Sequence, residues 1–218
     1  SATRPERTGC PNERNGIFAA RHLLRDPARA TRSTFETTVD LANPAAVAVN
    51  RRYVDEDINR CFSREALGRN ATSREARRAA VLDKVLGPKA SDVRNMDLVI
   101  DLHNTTSDCG YALMMRRDDS LSHAICATLQ KKYEDVRCCE WDDKPDHATL
   151  PSCGRSGFTL EVGPVPQGVA DAITYQKTLA LIDAVLDAVE ARNQALLSNE
   201  RSTATATPPA ACRTRAAP

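Results

Sequence analysis

Apolar positions recur along this chain in two rhythms. Around Gly16–Leu24, Ser73–Leu86, Ser120–Tyr133 and Ala170–Leu197 they return every three or four residues, the spacing that turns one face of an α-helix toward a core. Asp26-Pro27 stops the first helix, and the second opens on Ser73 as N-cap and closes at Gly87-Pro88. In the last, Leu179, Ile182, Val185, Leu186 and Val189 share a face. Between these segments lie short apolar runs: Phe35–Ala42, ended by Asn43-Pro44, then Met96–Ile100, Tyr111–Met115, Val136–Trp141 and Gly157–Val162, the last broken by Gly163-Pro164. Their length and turn-residue flanks predict strands. Strands alternating with helices predict a three-layer α/β domain with a mostly parallel or mixed sheet and helices on both faces. Ligands on such sheets bind at the carboxyl ends of strands.

After Ser198 the chain turns to Ala, Thr and Pro with no periodic apolar face. The expectation is one domain over residues 1–197 and a disordered low-complexity tail over 198–218. A formal net charge of +1 gives no electrostatic footprint for nucleic acid, and 4% aromatics leave little for a base-stacking surface. No apolar stretch reaches bilayer length and the N-terminus has no hydrophobic signal core. The chain therefore reads as soluble and cytoplasmic, with no membrane partner and with homo-oligomerisation left open. Its eight cysteines follow no zinc-finger or secreted-domain spacing and read as reduced thiols, some of them filling the core.

The densest chemistry lies where the Met96–Ile100 run meets Asp101-Leu102-His103-Asn104-Thr105-Thr106. A strand that ends in Asp-x-His delivers both side chains to one face. There the carboxylate can orient the imidazole beside a ligand, as metal-binding histidines require; a capped core histidine is the alternative. Three further segments add polar groups at element ends: Gly9-Cys10-Pro11-Asn12-Glu13-Arg14-Asn15-Gly16, Arg51 through Arg60, and Leu160-Glu161-Val162-Gly163-Pro164. An ionised Glu161 in an apolar strand needs a partner or a function. Glu13 alone also fits a first-turn carboxylate, and the arginines among Asp55, Glu56 and Asp57 also fit a solvated ion-pair loop.

Taken in order, the strings Asn43-Pro44-Ala45, Arg52-Tyr53-Val54-Asp55, Asp57-Ile58-Asn59-Arg60, Leu86-Gly87-Pro88-Lys89, Asp101–Thr106 and Glu161-Val162-Gly163-Pro164 resemble the aspartoacylase, aminoacylase-3 and succinylglutamate desuccinylase group. These are zinc-dependent deacylases on a zinc-carboxypeptidase-like α/β fold. The resemblance runs from about Asn12 to Glu190, the group's N-terminal domain. It implies one Zn2+ per chain, with His103 and Glu13 as ligands, and an N-acyl amino acid as small-molecule substrate. It implies Glu161 as general base, Arg52 as the group that steadies the oxyanion, and Asn59 and Arg60 as the grip on the substrate carboxylate. His147 falls where the group places a substrate-contacting side chain, and also reads as a surface-loop residue. An open zinc site with three protein ligands, a carboxylate base and guanidinium donors suits amide hydrolysis.

Three departures from that pattern stand out. Cys10 occupies the position of the group's first metal histidine, two residues before Glu13, with Pro11 in place of a glycine; a thiolate is itself a zinc ligand. The residues before Cys10 do not read as a strand, so the sheet is expected to lose its first one. Where the group continues into a β-rich C-terminal domain, the expectation for this sequence is an Ala/Thr/Pro tail, and Pro151 stands where the group has a further substrate arginine, with Arg155 nearby. A zinc amidohydrolase is the leading expectation. A catalytically impaired or truncated member that only binds is the second, and a peptide carboxypeptidase is the third.

Overall fold

A computed structural model describes residues 6–8, 13–141 and 146–205. In chain order its elements are β1 (Glu6–Thr8), α1 (Arg14–Arg25), β2 (Val39–Leu41), α2 (Pro44–Ala48), α3 (Arg64–Gly68), α4 (Arg74–Leu86), β3 (Leu98–Asn104), β4 (Tyr111–Met115), α5 (Ser120–Gln130), β5 (Val136–Glu140), β6 (Ser156–Val162) and α6 (Ala172–Thr205). The strands form one sheet in the order β2-β1-β3-β6-β4-β5. Each pairing is parallel except that of β4 with β6. The mixed α/β sheet is the one the apolar pattern predicts.

Both faces of the sheet are covered. On one, Ile100 and Leu102 of β3 and Phe158, Leu160 and Val162 of β6 pack with Leu23 of α1, Ile125 and Leu129 of α5, and Ile182 and Val185 of α6. On the other, Val99 packs with Leu82 and Leu86 of α4 and with Ile58, Phe62 and Leu150. This explains why β3 reads as a continuous apolar run rather than an alternating one. Period-2 alternation then assigns Asp101 and His103, with Val99, to the α4 face. Gly16 sets α1 against β3, since a Cβ there would stand 2.9 Å from the Leu102 carbonyl oxygen. That close approach brings the start of α1, just after Glu13, to the end of β3.

The structure differs from the expectations at four points. The sheet keeps a first strand, because Glu6–Thr8 lies between β2 and β3. A central parallel slot is held by main-chain groups that any non-proline residue supplies. Helix α6 runs through Ser198 to Thr205, past the expected start of the tail, because no glycine or proline interrupts it before Pro208. Asn43-Pro44 starts a helix as well as ending an extended segment: Asn43 Oδ1 accepts from the Ala46 N–H at 3.2 Å, with Pro44 in the first helical turn. Strand β2 is confined to Val39–Leu41, shorter than its apolar run. The six described cysteines are free thiols, and burial pushes those of Cys61, Cys126 and Cys153 up to about 12. Among the described residues no helix is long and apolar enough to cross a membrane.

Candidate metal centre

Parallel pairing of β3 with β6 sets His103 directly opposite Glu161 at the carboxyl ends of both strands. Glu13 arrives from the residue before α1. One ligand atom from each of Glu13, His103 and Glu161 lies within 4.8 Å of the other two. His103 Nδ1 is 3.0 Å from Glu13 Oε2 and 3.9 Å from Glu161 Oε1. On the far side of the ring, Nε2 lies 2.8 Å from Asp101 Oδ2. An Nε2–H donated to Asp101 leaves the Nδ1 lone pair for a cation, the arrangement that fixes a metal-binding tautomer. Glu13 Oε2 also accepts from the Asn104 N–H at 2.8 Å, so the strand end itself orients this carboxylate.

These residues fit a divalent cation. His103 and Glu13 are buried, and two carboxylates and one imidazole form an oxygen- and nitrogen-rich donor set suited to zinc. Glu161 Oε2 is buried with no hydrogen-bond partner, an orphan acceptor that a cation or a bound water would satisfy. Burial pushes the Glu161 carboxyl above its ordinary value; His103 opposes the rise, Glu13 and Asp101 add to it, and Arg52 opposes it. Cys10 lies outside the described residues.

The remaining candidates are arranged around this cluster. Arg52 Nη1 is 3.9 Å from Glu13 Oε1, while its Nε and Nη2 both donate to Asp57 Oδ2 at 3.2 and 2.9 Å. Asn59 is buried behind His103: Nδ2 donates to Asp101 Oδ2 at 2.9 Å and lies 3.2 Å from His103 Nε2. Arg60 is exposed, with Nη1 on the Asn59 carbonyl at 2.8 Å. His147 is half-buried, its ring centroid 6.3 Å from that of Trp141. Its main-chain carbonyl accepts from Lys89 Nζ and from Ser152 Oγ. Glu13, Arg52, Asn59, His103 and Glu161 thus form one connected group. Arg60 adjoins it through Asn59, and His147 belongs to the loop whose Leu150 N–H bonds Asn59.

Two residues that hold the site do not stand out in the sequence. Asp57 orients Arg52, and its signal was its place two residues before Asn59 in the arginine-rich string. Glu75, fully buried in α4, takes the Val54 and Asp55 N–H groups at 2.7 and 3.1 Å and Asn43 Nδ2 at 3.0 Å. It thereby pins the loop that follows Arg52.

Comparison with known proteins gives the family. The family model of the succinylglutamate desuccinylase/aspartoacylase catalytic domain matches residues 11–189. The chain is 38% identical over 190 residues to a Homo sapiens protein named N-acyl-aromatic-L-amino acid amidohydrolase (carboxylate-forming), covering 84% of this chain and 59% of that protein. A probable aspartoacylase of Nostoc is 36% identical over 184 residues, covering 84% and 62%. The crystal structure of murine aminoacylase 3 superposes with a TM-score of 0.82 at 34% identity, covering 88% of this chain and 66% of that one. The chain spans about three-fifths of the length of the curated relatives it matches. On the matched domain and its shared fold, the chain belongs to the succinylglutamate desuccinylase/aspartoacylase family.

Proposed function

We propose that this chain carries the catalytic centre of a zinc-dependent amidohydrolase of the cytoplasm, which cleaves an N-acyl amino acid into a carboxylate and a free amino acid. The convergence of Glu13, His103 and Glu161 within 4.8 Å carries this reading. The names of the relatives support the reaction class, and the free thiols suit a reducing compartment. Glu13 and His103 would hold the metal, with Cys10 as a third ligand. When bound, zinc would supply Lewis-acid chemistry that makes water acidic near neutral pH. Glu161 would accept a proton from the attacking water and return it to the leaving amine nitrogen. Arg52, beside Glu13, stabilises the negative charge that develops on the amide oxygen. Arg60, exposed next to the site, meets the substrate carboxylate with its planar donors, and His147 contacts the substrate from the 146–152 loop.

Zinc content and hydrolysis of N-acetyl aromatic amino acids test the reading together. The expected result is about one zinc per chain, lost in His103→Ala. Glu161→Gln should keep the zinc and lose roughly a hundredfold or more in kcat. A chain that takes up no zinc at neutral pH overturns the proposal. A second reading, a binding subunit without turnover, draws on Cys10 standing where the family motif has histidine. Zinc uptake with activity only in Cys10→His would favour it.

A further inference from the structure

We propose that the groove between α1 and the start of α6 is a second binding site, separate from the metal centre, for a small organic carboxylate with an aromatic body. The inference goes beyond the amidohydrolase reading and stands or falls without it. The groove encloses about 350 Å3, room for one aromatic ring with a short carboxylate arm. Helices α1 and α6 pack on the sheet face opposite the one that carries Asp101 and His103.

The free polar groups that line this groove are donors. Asn15 is fully buried, and its Oδ1 accepts from the Asp171 N–H at 3.0 Å. That bond fixes which way the carboxamide points, and Nδ2 is left buried with no hydrogen-bond partner. Arg21 and Arg25 stand one turn apart on α1, line the same groove and are exposed. Among the described residues neither meets a carboxylate. Like charges at i and i+4 repel, and an anion between them replaces that repulsion with charge-assisted hydrogen bonds. Asp171, an acid on the same wall, has its Oδ2 committed to the Thr174 N–H at 2.6 Å.

The rest of the wall is apolar. Phe18 is 38% exposed and lies between Asn15 and the arginines on one face of α1. Across from it, the Tyr175 hydroxyl of α6 and His22 Nδ1 bond each other at 2.9 Å, their ring centroids 6.3 Å apart. Each closes the polar tip of the other and leaves ring surface toward the groove. From Asn15 to Arg25 the helix rises about 15 Å, long enough for the aromatic body to lie along Phe18 and Tyr175. Its carboxylate then meets the two guanidiniums, and Asn15 Nδ2 bounds the inner end. Among the described residues the lining supplies two guanidiniums and no third fixed cation, which suits a monoanion rather than a polyphosphate.

The test titrates 3-phenylpropionate into the full chain, followed by calorimetry and by NMR of side-chain resonances. In the unaltered protein the Asn15 amide and the Arg21 and Arg25 Nε–H signals should shift and saturate together, a readout that needs no variant to fold. Arg21→Gln combined with Arg25→Gln, at two exposed positions, should weaken the dissociation constant roughly 10- to 100-fold. The uncharged 3-phenylpropanamide should bind at least about tenfold more weakly than the acid. Arg60→Ala, which removes the carboxylate grip proposed at the metal centre, should leave the Asn15 and arginine shifts in place. Shifts confined to the neighbourhood of Arg60 and His103, or no saturable shift at Asn15, overturns the inference. An amide that binds as well as the acid, or equal affinity in the double arginine variant, overturns it too. A chain that takes up no zinc yet shows the Asn15 and arginine shifts overturns the metal reading and leaves this one standing.

Discussion

Arg52 places two guanidinium nitrogens on a single oxygen of Asp57, Nε at 3.2 Å and Nη2 at 2.9 Å. The remaining nitrogen, Nη1, faces Glu13 at 3.9 Å. One edge of the guanidinium is therefore clamped while the other reaches the metal cluster. A half-exposed arginine has several rotamers to lose, and the clamp removes that freedom before substrate arrives.

Replacing Asp57 should hence impair turnover more than binding of the metal. Asp57→Asn removes the carboxylate charge and leaves one acceptor oxygen for both Arg52 and the Asn59 N–H. A hydrogen bond to a charged group contributes about 1.5–3 kcal/mol, which corresponds to roughly 10- to 100-fold in rate. Steady-state kinetics of N-acyl amino acid hydrolysis should show kcat/KM falling by that factor, with zinc content per chain unchanged. Loss of zinc in this variant would contradict the assignment.

Glu75 links stability to pH. Burial opposes its ionisation, yet the N–H groups of Val54 and Asp55 and the amide of Asn43 outweigh that cost and hold its carboxyl below the ordinary value. A depressed folded-state value means that the stabilisation is fully present above the unfolded glutamate value of about 4.3 and is lost as pH falls through the folded one. Urea midpoints of the parent and Glu75→Gln should differ by about 1–3 kcal/mol in stability at pH 7. The difference should shrink steadily below about pH 4. A constant gap across that range would show that the carboxylate charge is not what the loop responds to.

How far the site can be read from the sequence follows from the range of the forces involved. His103 and Glu161 are legible because each sits at the end of an apolar run, where local patterning alone places a side chain on a known face. The metal role of Glu13 comes from the family resemblance; by pattern alone it also fits a first-turn carboxylate. The role of Glu75 is not legible, because a glutamate two residues after a serine cap looks like any first-turn acid until the distant 54–56 loop folds onto it. The substrate role of Asn59 comes from the family resemblance, while its orientation is set by Asp101 and Leu150, both far along the chain. Strand β1 is invisible to apolar patterning because Glu6-Arg7-Thr8 enters the sheet through main-chain pairing with β2 and β3.

The tight crossing of α1 on β3 carries its own prediction. A Cβ at position 16 would meet the Leu102 carbonyl oxygen at 2.9 Å and its carbon at 3.3 Å. These are backbone atoms of a central strand and cannot swing aside. Gly16→Ala should push α1 outward, at a cost of about 1–3 kcal/mol, and carry Glu13 away from His103. Thermal melts should show the lost stability, and chelator competition should show weaker zinc binding in the same variant. A stability loss with unchanged zinc affinity would mean that Glu13 is held by Asn104 alone.

Zinc itself should stabilise the fold, because Glu13 precedes α1 while His103 ends β3, and an unfolded chain has no reason to keep them together. Binding to the folded state alone adds about 2.7 kcal/mol when free zinc is a hundred times its dissociation constant. Differential scanning calorimetry with and without zinc should therefore show a higher Tm in the zinc-loaded protein, reversed by a chelator. The gain should be smaller at low pH, where protons compete with the metal for the Glu13 carboxylate and the His103 imidazole. His103→Ala should abolish the zinc-dependent shift while leaving a folded chain, since His103 lies at the rim of the sheet and not within either apolar core. A Tm that rises with zinc as much in His103→Ala as in the parent would place the responsible ion elsewhere on the molecule.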